Sequence, residues 1–249
     1  MRSSIKRICT LTERNVKEII RDPLSLAFLL ALPLVMEVLF YYIFHNLTSQ
    51  FEMKYLAPAI VVFSQAFLTL FTGLLIAVDR NSAFLTRLYV SKARPHEFIF
   101  GYSFAVLPIA FAQSILFFLV GGIIDPSIFG AGMIYCVLLS LITSALFIGL
   151  GILFGAICNE RSIGGVSSIV ITGQSVLSGM WFPTEGLSAG ITTVMKILPF
   201  KNAADLMQNV LMGGALTFDG FFLPLIIVVA YSAVALLIAI LVFRKKMTD

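Results

Sequence analysis

The chain has 249 residues, of which 59% are hydrophobic and 12% are charged, and its formal net charge is +4. A soluble domain carries about 25% charged residues, so this composition excludes an ordinary soluble domain. We therefore expect an all-α integral membrane protein, whose apolar helices are separated by short polar segments.

The first 22 residues predict an amphipathic helix. Within residues 5–20, apolar side chains recur on one helical face and charged side chains lie opposite. Pro23 disfavours helical geometry at Asp22, so the helix should break there, directly before the first apolar run. Two interpretations remain open at this point. The helix is either an anchor that lies on anionic lipid or a docking surface for a soluble partner.

Six apolar runs follow, and each is long enough to cross a bilayer core, which needs about 20 residues. The predicted transmembrane helices span residues 24–45, 55–78, 98–124, 132–158, 163–181 and 221–243. Segments 79–97 and 182–220 are the two longest connections between them.

The distribution of positive charge predicts the orientation. Fourteen of the 17 Lys and Arg residues lie before the first span, in segment 79–97, at Arg161 or after the last span. The other side has only Lys54, Lys196 and Lys201. Because Lys and Arg concentrate in cytoplasmic loops, we expect both termini and segment 79–97 to be cytoplasmic.

Segment 79–97 is either an ordinary charged loop or a loop that contains a short helix. Asn81 or Ser82 would cap such a helix, and Phe84, Leu85 and Leu88 would share one face of it. Three large apolar side chains in a cytoplasmic loop need a surface to bury against, which favours a contact with another protein.

Polar residues inside the spans are candidates for a transport path. Glu37 is the one ionisable residue deep in a predicted span, where it would contact a cationic substrate, relay a proton or hydrogen-bond a neighbouring helix. In the second span, Gln65, Thr69 and Thr72 form a polar stripe that should face protein or a path. The fifth span is rich in small and hydroxyl residues, which serve either close helix packing or path lining. The residues that we select as path candidates are Glu37, Gln65, Thr69, Thr72, Thr172, Gln174 and Ser178.

Segment 182–220 has apolar residues at helical spacing on both sides of Pro199, and Gly213-Gly214 ends the second piece. It is too polar to span a bilayer and too apolar for a free loop. We expect a pair of outer re-entrant or interfacial helices between the fifth and sixth spans.

The sequence lacks the motifs of an enzyme. It has no Gly-x-x-x-x-Gly-Lys loop for ATP phosphates, and no Cys, His or carboxylate cluster has metal-ligand spacing. We expect no cofactor, metal or nucleic acid on this chain. Any ATP hydrolysis should then take place on another polypeptide.

Three stretches resemble the ABC-2 type transporter permeases. RNVKEIIRDPLSLAFLLALPLVMEVLF resembles the opening of that family, DRNSAFLTRLYVSKARPHEFIFGY its cytoplasmic coupling-helix loop, and LSGMWFPTEGLSAGITTVMKILPF its exit from the fifth span. The resemblance covers about residues 5–215. It implies a permease that pairs with a second copy or a paralogue, in membrane lipid, above two ABC ATPase subunits that bind ATP and Mg.

The resemblance also implies which residues meet the ATPase. These lie on the N-terminal helix and on the coupling loop, and they are Arg14, Lys17, Arg21, Asp22, Asn81, Phe84, Leu85, Arg87 and Leu88. In this interpretation, ATPase movement tilts the first span through the N-terminal helix that is joined to it.

The function that we predict is export of a hydrophobic or amphiphilic compound, such as a drug, an antibiotic or a lipid, across the plasma membrane, which would be the inner membrane of a bacterium. The polysaccharide exporters of this superfamily usually begin with a longer aromatic segment, which favours the drug- or lipid-type branch. Two alternatives stay open: a proton-coupled carrier that uses Glu37, and a membrane scaffold that transports nothing.

Overall fold

A computed structural model describes residues 2–82, 94–182, 184 and 186–248, which form helices and no strands. The helices, in chain order, are α1 (Arg2–Ile20), α2 (Pro23–Phe44), α3 (Met53–Asn81), α4 (Pro95–Ile124), α5 (Ala131–Ile157), α6 (Glu160–Leu177), α7 (Ala189–Ile197), α8 (Pro199–Leu211) and α9 (Leu223–Thr248). A π-helical turn at Phe218–Phe222 leads into α9.

The break between α1 and α2 lies where the sequence predicts it. Pro23 is the first residue of α2, a position at which its missing N–H costs no helical hydrogen bond. The Asp22 carboxylate accepts a hydrogen bond from the backbone N–H of Ser25 at 3.2 Å and so caps the helix. Asp22 therefore has a structural task at this joint.

Among the described residues, five helical segments are long and apolar enough to cross a membrane: Pro23–Phe44, Met53–Arg80, Pro95–Ile124, Ala131–Ile157 and Phe218–Lys245. They contain all or nearly all of five of the six predicted spans. The predicted span 163–181 falls mainly on α6, which is not among the five. The 18 residues of α6 form a helix about 27 Å long at 1.5 Å per residue, and they include Glu160, Arg161 and many small polar side chains.

The helix α3 is the centre of the bundle. It packs against α2, α4, α5, α6 and α8, and most of its side chains are buried. In α2, by contrast, only Leu29, Pro33 and Glu37 are buried. The surface of α2 thus remains available to lipid or to another subunit.

Two glycines let α5 lie close to α3. A Cβ added to Gly151 would be 2.8 Å from the Thr69 carbonyl oxygen, and one added to Gly155 would be 2.7 Å from the Gly73 carbonyl oxygen. No real Cβ tolerates such distances from backbone atoms, so this helix pair requires glycine at both positions.

The bundle has two ends. The α1 end carries α1, the end of α3 and the start of α4, and the far end carries α7 and α8. At the far end, the Trp181 ring packs edge-on against Phe40 at 4.7 Å between ring centroids, and Gln50 donates a hydrogen bond to the Phe182 carbonyl at 2.8 Å. The chain leaving α6 is thereby held to the α2–α3 connection. The helices α7 and α8 meet at Pro199, as the sequence predicts.

The close approach of α3 and α5 gives a test of the fold. We expect Gly155→Val to lower the free energy of unfolding by about 1–3 kcal/mol, because the added atoms clash with the Gly73 backbone. The matched control is Gly190→Ala, where an added Cβ meets nothing within 4 Å. Thermal unfolding in detergent would measure both, and an unchanged midpoint for Gly155→Val would contradict the packing described.

Candidate functional site

The helix α1 is bound to the bundle by a first arginine–carboxylate pair near its N-terminus. Arg7 donates from Nε and Nη2 to the two carboxylate oxygens of Glu97, each at 2.7 Å. The Glu97 side chain is 0% exposed, and it also accepts from the Ser4 hydroxyl and from the backbone N–H of Arg94. A bidentate pair of this kind fixes orientation as well as distance.

A second pair binds the middle of α1. Arg14 donates through both terminal nitrogens to the two carboxylate oxygens of Asp79, which is 1% exposed and lies near the end of α3. The Tyr102 hydroxyl of α4 donates to the same carboxylate at 2.6 Å. Asp79 therefore joins three helices at one point.

These pairs contribute to stability as well as position. Removing one partner of a fully buried pair costs about 3–5 kcal/mol, because the other charge stays buried without compensation. The cost here should be smaller, since the Arg7 and Arg14 side chains remain 36% and 32% exposed.

Glu18 lies beside the same arginine, one turn further along α1, and forms an ion pair with Arg14. Burial and the neighbouring Asp79 carboxylate raise the pKa of Glu18 above its ordinary value, and Arg14 opposes this shift. Arg14 thus joins two carboxylates, of which only Asp79 is fully buried.

The surface of α1 that meets the bundle overlaps only in part with the apolar face that the sequence indicates, since Ile19 is buried and Val16 packs against the core. Asn15 is its most buried described residue, 1% exposed, and donates to the Gly101 carbonyl at 3.4 Å. A Cβ added to Gly101 would be 2.8 Å from the Leu11 Cβ, so the two helices touch closely here. Ile5 and Ile20, which belong to the apolar face that the sequence indicates, are 59% and 66% exposed.

Arg80 forms a further connection at the α1 end. It donates to the carbonyl oxygens of Ala156 at 2.7 Å and Cys158 at 2.5 Å, at the C-terminus of α5. A cation at a helix C-terminus is favoured by the unpaired carbonyls and the helix dipole. Asp79 and Arg80 are neighbours in the chain, yet they contact different helices.

The predicted ATPase-contact residues are placed as follows. Arg14 points into the bundle and Asp22 caps α2, whereas Lys17 and Arg21 are exposed. Lys17 pairs with Glu13 at 2.6 Å on the same helix. Asn81 is the last residue of α3, and its side chain is outside the described part of the chain, as are the residues Phe84, Leu85, Arg87 and Leu88.

The predicted path residues of α3 face protein within this chain. Gln65 donates to the Ser140 carbonyl at 3.0 Å and Thr69 to the Phe147 carbonyl at 3.1 Å, both on α5. Thr72 is also buried against α5, next to Gly151. Of the two interpretations of this stripe, these contacts favour helix packing.

The other path candidates lie elsewhere, so the structure does not bring the set together. Glu37 is 0% exposed and lies beside Gly121, Met53 and Ile128, with no hydrogen-bond partner among the described residues for either carboxylate oxygen. On α6 and just beyond it, the remaining candidates differ in exposure: Gln174 and Ser178 are buried, and Thr172 is exposed.

Sequence reasoning missed Asp79, Glu97 and Tyr102, which are the partners that hold α1. A carboxylate at the edge of a predicted span is a signal that could have found the first two, because such a group needs a cation nearby. Nothing in the local sequence indicates that the cation comes from α1.

Comparison of the sequence with known families gives a match over most of the chain. Residues 6–212 match the family described as ABC-2 type transporter. A search of curated proteins gives no significant match.

The isolated Glu37 carboxyl gives a test of its surroundings. We expect Glu37→Leu to raise the unfolding temperature, by an amount corresponding to about 1–3 kcal/mol, because a buried polar group that has no partner in the described part of the chain is removed. Glu37→Gln, which keeps the shape and the polarity, should change it little. A loss of stability in Glu37→Leu would contradict this and would show that the carboxyl has a polar partner.

Proposed function

The chain belongs to the ABC-2 type transporter family, and on that premise we propose that it is the membrane subunit of an ATP-driven exporter of hydrophobic or amphiphilic compounds. The observation that carries this is the family match over residues 6–212, together with five helices able to span a membrane. The sequence has no Gly-Lys pair of a phosphate-binding loop, so a separate ABC ATPase would supply the energy.

The topology that we propose has six crossings, with α6 as the fifth, and both termini in the cytoplasm. In support, α6 packs beside α3, with Ile163 against Gly73, and Trp181, four residues beyond the end of α6, lies beside Phe63 of α3. The α1 end, which carries most of the Lys and Arg residues, would then face the cytoplasm of the plasma membrane.

The ATPase would dock on the outward surface of α1 and on the loop between α3 and α4. Lys17 and Arg21 offer exposed cations there. The two arginine–carboxylate pairs keep α1 in a fixed place beside the start of this loop, so both contacts would lie on one side of the chain.

The helix α6 is the surface that we assign to a second copy or a paralogue. Gly164, Ser168 and Thr172 follow one another at every fourth position on its outer side. A Cβ added to Gly164 or to Gly165 meets nothing within 4 Å, so packing inside this chain does not require glycine there. Small residues on a membrane helix let another helix approach closely.

The substrate class is supported by a groove between α2 and α3. Its volume is about 340 Å³. It is lined by Ser25, Phe28, Leu29, Leu32, Phe67, Leu70, Phe71 and Leu74, almost all of them apolar. Such a lining favours an aliphatic or aromatic group over a sugar or an ion. We therefore assign the apolar part of the substrate, which could be a drug, an antibiotic or a lipid, to this groove.

A proton-coupled carrier is the second candidate, and the buried Glu37 carboxyl, which has no hydrogen-bond partner among the described residues, favours it. Transport that persists in Glu37→Gln and without a proton gradient, but needs ATP, would eliminate this candidate. A chain that only supports a membrane complex would transport nothing in either case.

Purification of the tagged chain from native membranes tests the ATPase partnership. We expect an ATP-hydrolysing subunit to co-purify, and Phe84→Asp or Leu88→Asp to reduce its recovery by about tenfold or more, because a charge replaces an apolar contact. The control is Phe218→Asp, an exposed apolar residue at the far end. If no ATPase accompanies the unmodified chain, the proposed function is wrong.

Pairing through α6 can be tested by the mass of the purified protein. We expect Gly164→Trp to convert a dimer into a monomer in light scattering after gel filtration, because the indole prevents close helix contact. Ile123→Trp is the matched control, since Ile123 is 76% exposed on α4. A dimer that persists in Gly164→Trp would place the subunit contact elsewhere.

A further inference from the structure

The two arginines of α1 reach two different spans. Arg7 and Arg14 are seven residues apart, which is two helical turns, so they lie on one face of α1. Arg7 binds Glu97 at the start of α4, and Arg14 binds Asp79 at the end of α3. The Tyr102 hydroxyl, which donates to Asp79 at 2.6 Å, joins the second pair to α4 as well.

The connection of α1 to α2 is weaker by comparison. The two helices are joined by Arg21 and Asp22, with a break at Pro23, and α1 packs mainly against α4 and little against α2 or α3, so its connection to α3 is the Arg14–Asp79 pair. A force on α1 would therefore reach α4 through its packing and the Arg7–Glu97 pair, and α3 through the Arg14–Asp79 pair.

We propose that Asp79 and Glu97 are positioning residues, which fasten α1 to α3 and α4 so that ATPase movement is delivered to these two spans, while α2 follows through its joint. This rests on the proposed function, because it requires an ATPase that moves α1. It differs from the expectation that the family resemblance implies, in which ATPase movement acts through α1 on the first span.

The position of Asp79 supports a role in transmission as well as in folding. It lies one residue before Arg80, which holds the C-terminal carbonyls of α5, and two residues before Asn81, the last residue of α3. A displacement at Asp79 thus reaches α1, α4 and α5 together. Ion pairs also have directional geometry that apolar contacts lack, so they keep helices in register during a movement.

Charge exchange tests the assignment. The variants are Asp79→Arg, the milder Asp79→Asn, Arg14→Asp, and the double variant that combines Arg14→Asp with Asp79→Arg. Lys201→Gln, which removes the Lys201–Asp205 pair at the far end, is the matched control. All are made in a chain whose Cys9, Cys136 and Cys158 are replaced by Ala and whose exposed Ile123, at the end of α4, is replaced by Cys.

The first readout is the change in bimane fluorescence at Ile123→Cys when the permease–ATPase complex is trapped with ATP and vanadate. We expect Asp79→Arg and Asp79→Asn to reduce this change by about tenfold while the ATPase still co-purifies and hydrolyses ATP, and the double variant to restore it. The second readout is hydrogen exchange of the α1 amides in the permease alone, which should accelerate in the single variants and recover in the double variant.

Either of two results would overturn the inference. One is a full fluorescence change in both Asp79 variants. The other is a double variant in which hydrogen exchange of α1 recovers but the fluorescence change does not, because the pair would then be structural only. Failure of the unmodified chain to bind an ATPase would instead overturn the proposed function.

Discussion

A buried carboxylate at the end of a membrane span must find a cation, and much of this structure follows from that requirement. Glu97 and Asp79 lie at the adjoining ends of α4 and α3, and both receive an arginine from α1. An unpaired charge at such a place is costly, so the pairs determine where α1 lies. The pairs thereby place α1 beside the end of α3 and the start of α4.

The central position of α3 in the bundle has a different cause, which is the close approach of the α5 backbone to the α3 backbone. Gly151 and Gly155 allow α5 to approach so closely that Gln65 and Thr69 donate to its carbonyl oxygens. Because the polar stripe of α3 packs against α5, the side of α3 that faces α2 is apolar. This side forms the groove together with α2. The packing of α5 on α3 thus stabilises the bundle and leaves an apolar side of α3 to line the groove.

The sequence predicts much of the fold, because its signals are local. Long apolar runs indicate the spans, Pro23 the joint, and Pro199 the division between α7 and α8. The arginine–carboxylate pairs are out of reach, because they join residues 65 and 90 positions apart. For the same reason helical periodicity places Gln65 on a face but does not say that α5 covers it. Asn15 shows a further limit of prediction from local pattern. It is polar, yet it is the most buried described residue of α1, because it lies opposite Gly101 and donates to the Gly101 carbonyl.

The most direct measurement of the central claim is a pair of spin-label distances in the permease–ATPase complex, without nucleotide and trapped with ATP and vanadate. One pair joins Thr10 on α1 to Phe104 on α4, and the other joins Thr10 to Leu32 on α2; all three side chains are exposed. The account predicts that the α1–α4 distance stays constant while the α1–α2 distance changes. A constant α1–α2 distance with a changing α1–α4 distance would contradict it and would show that α1 moves with the first span.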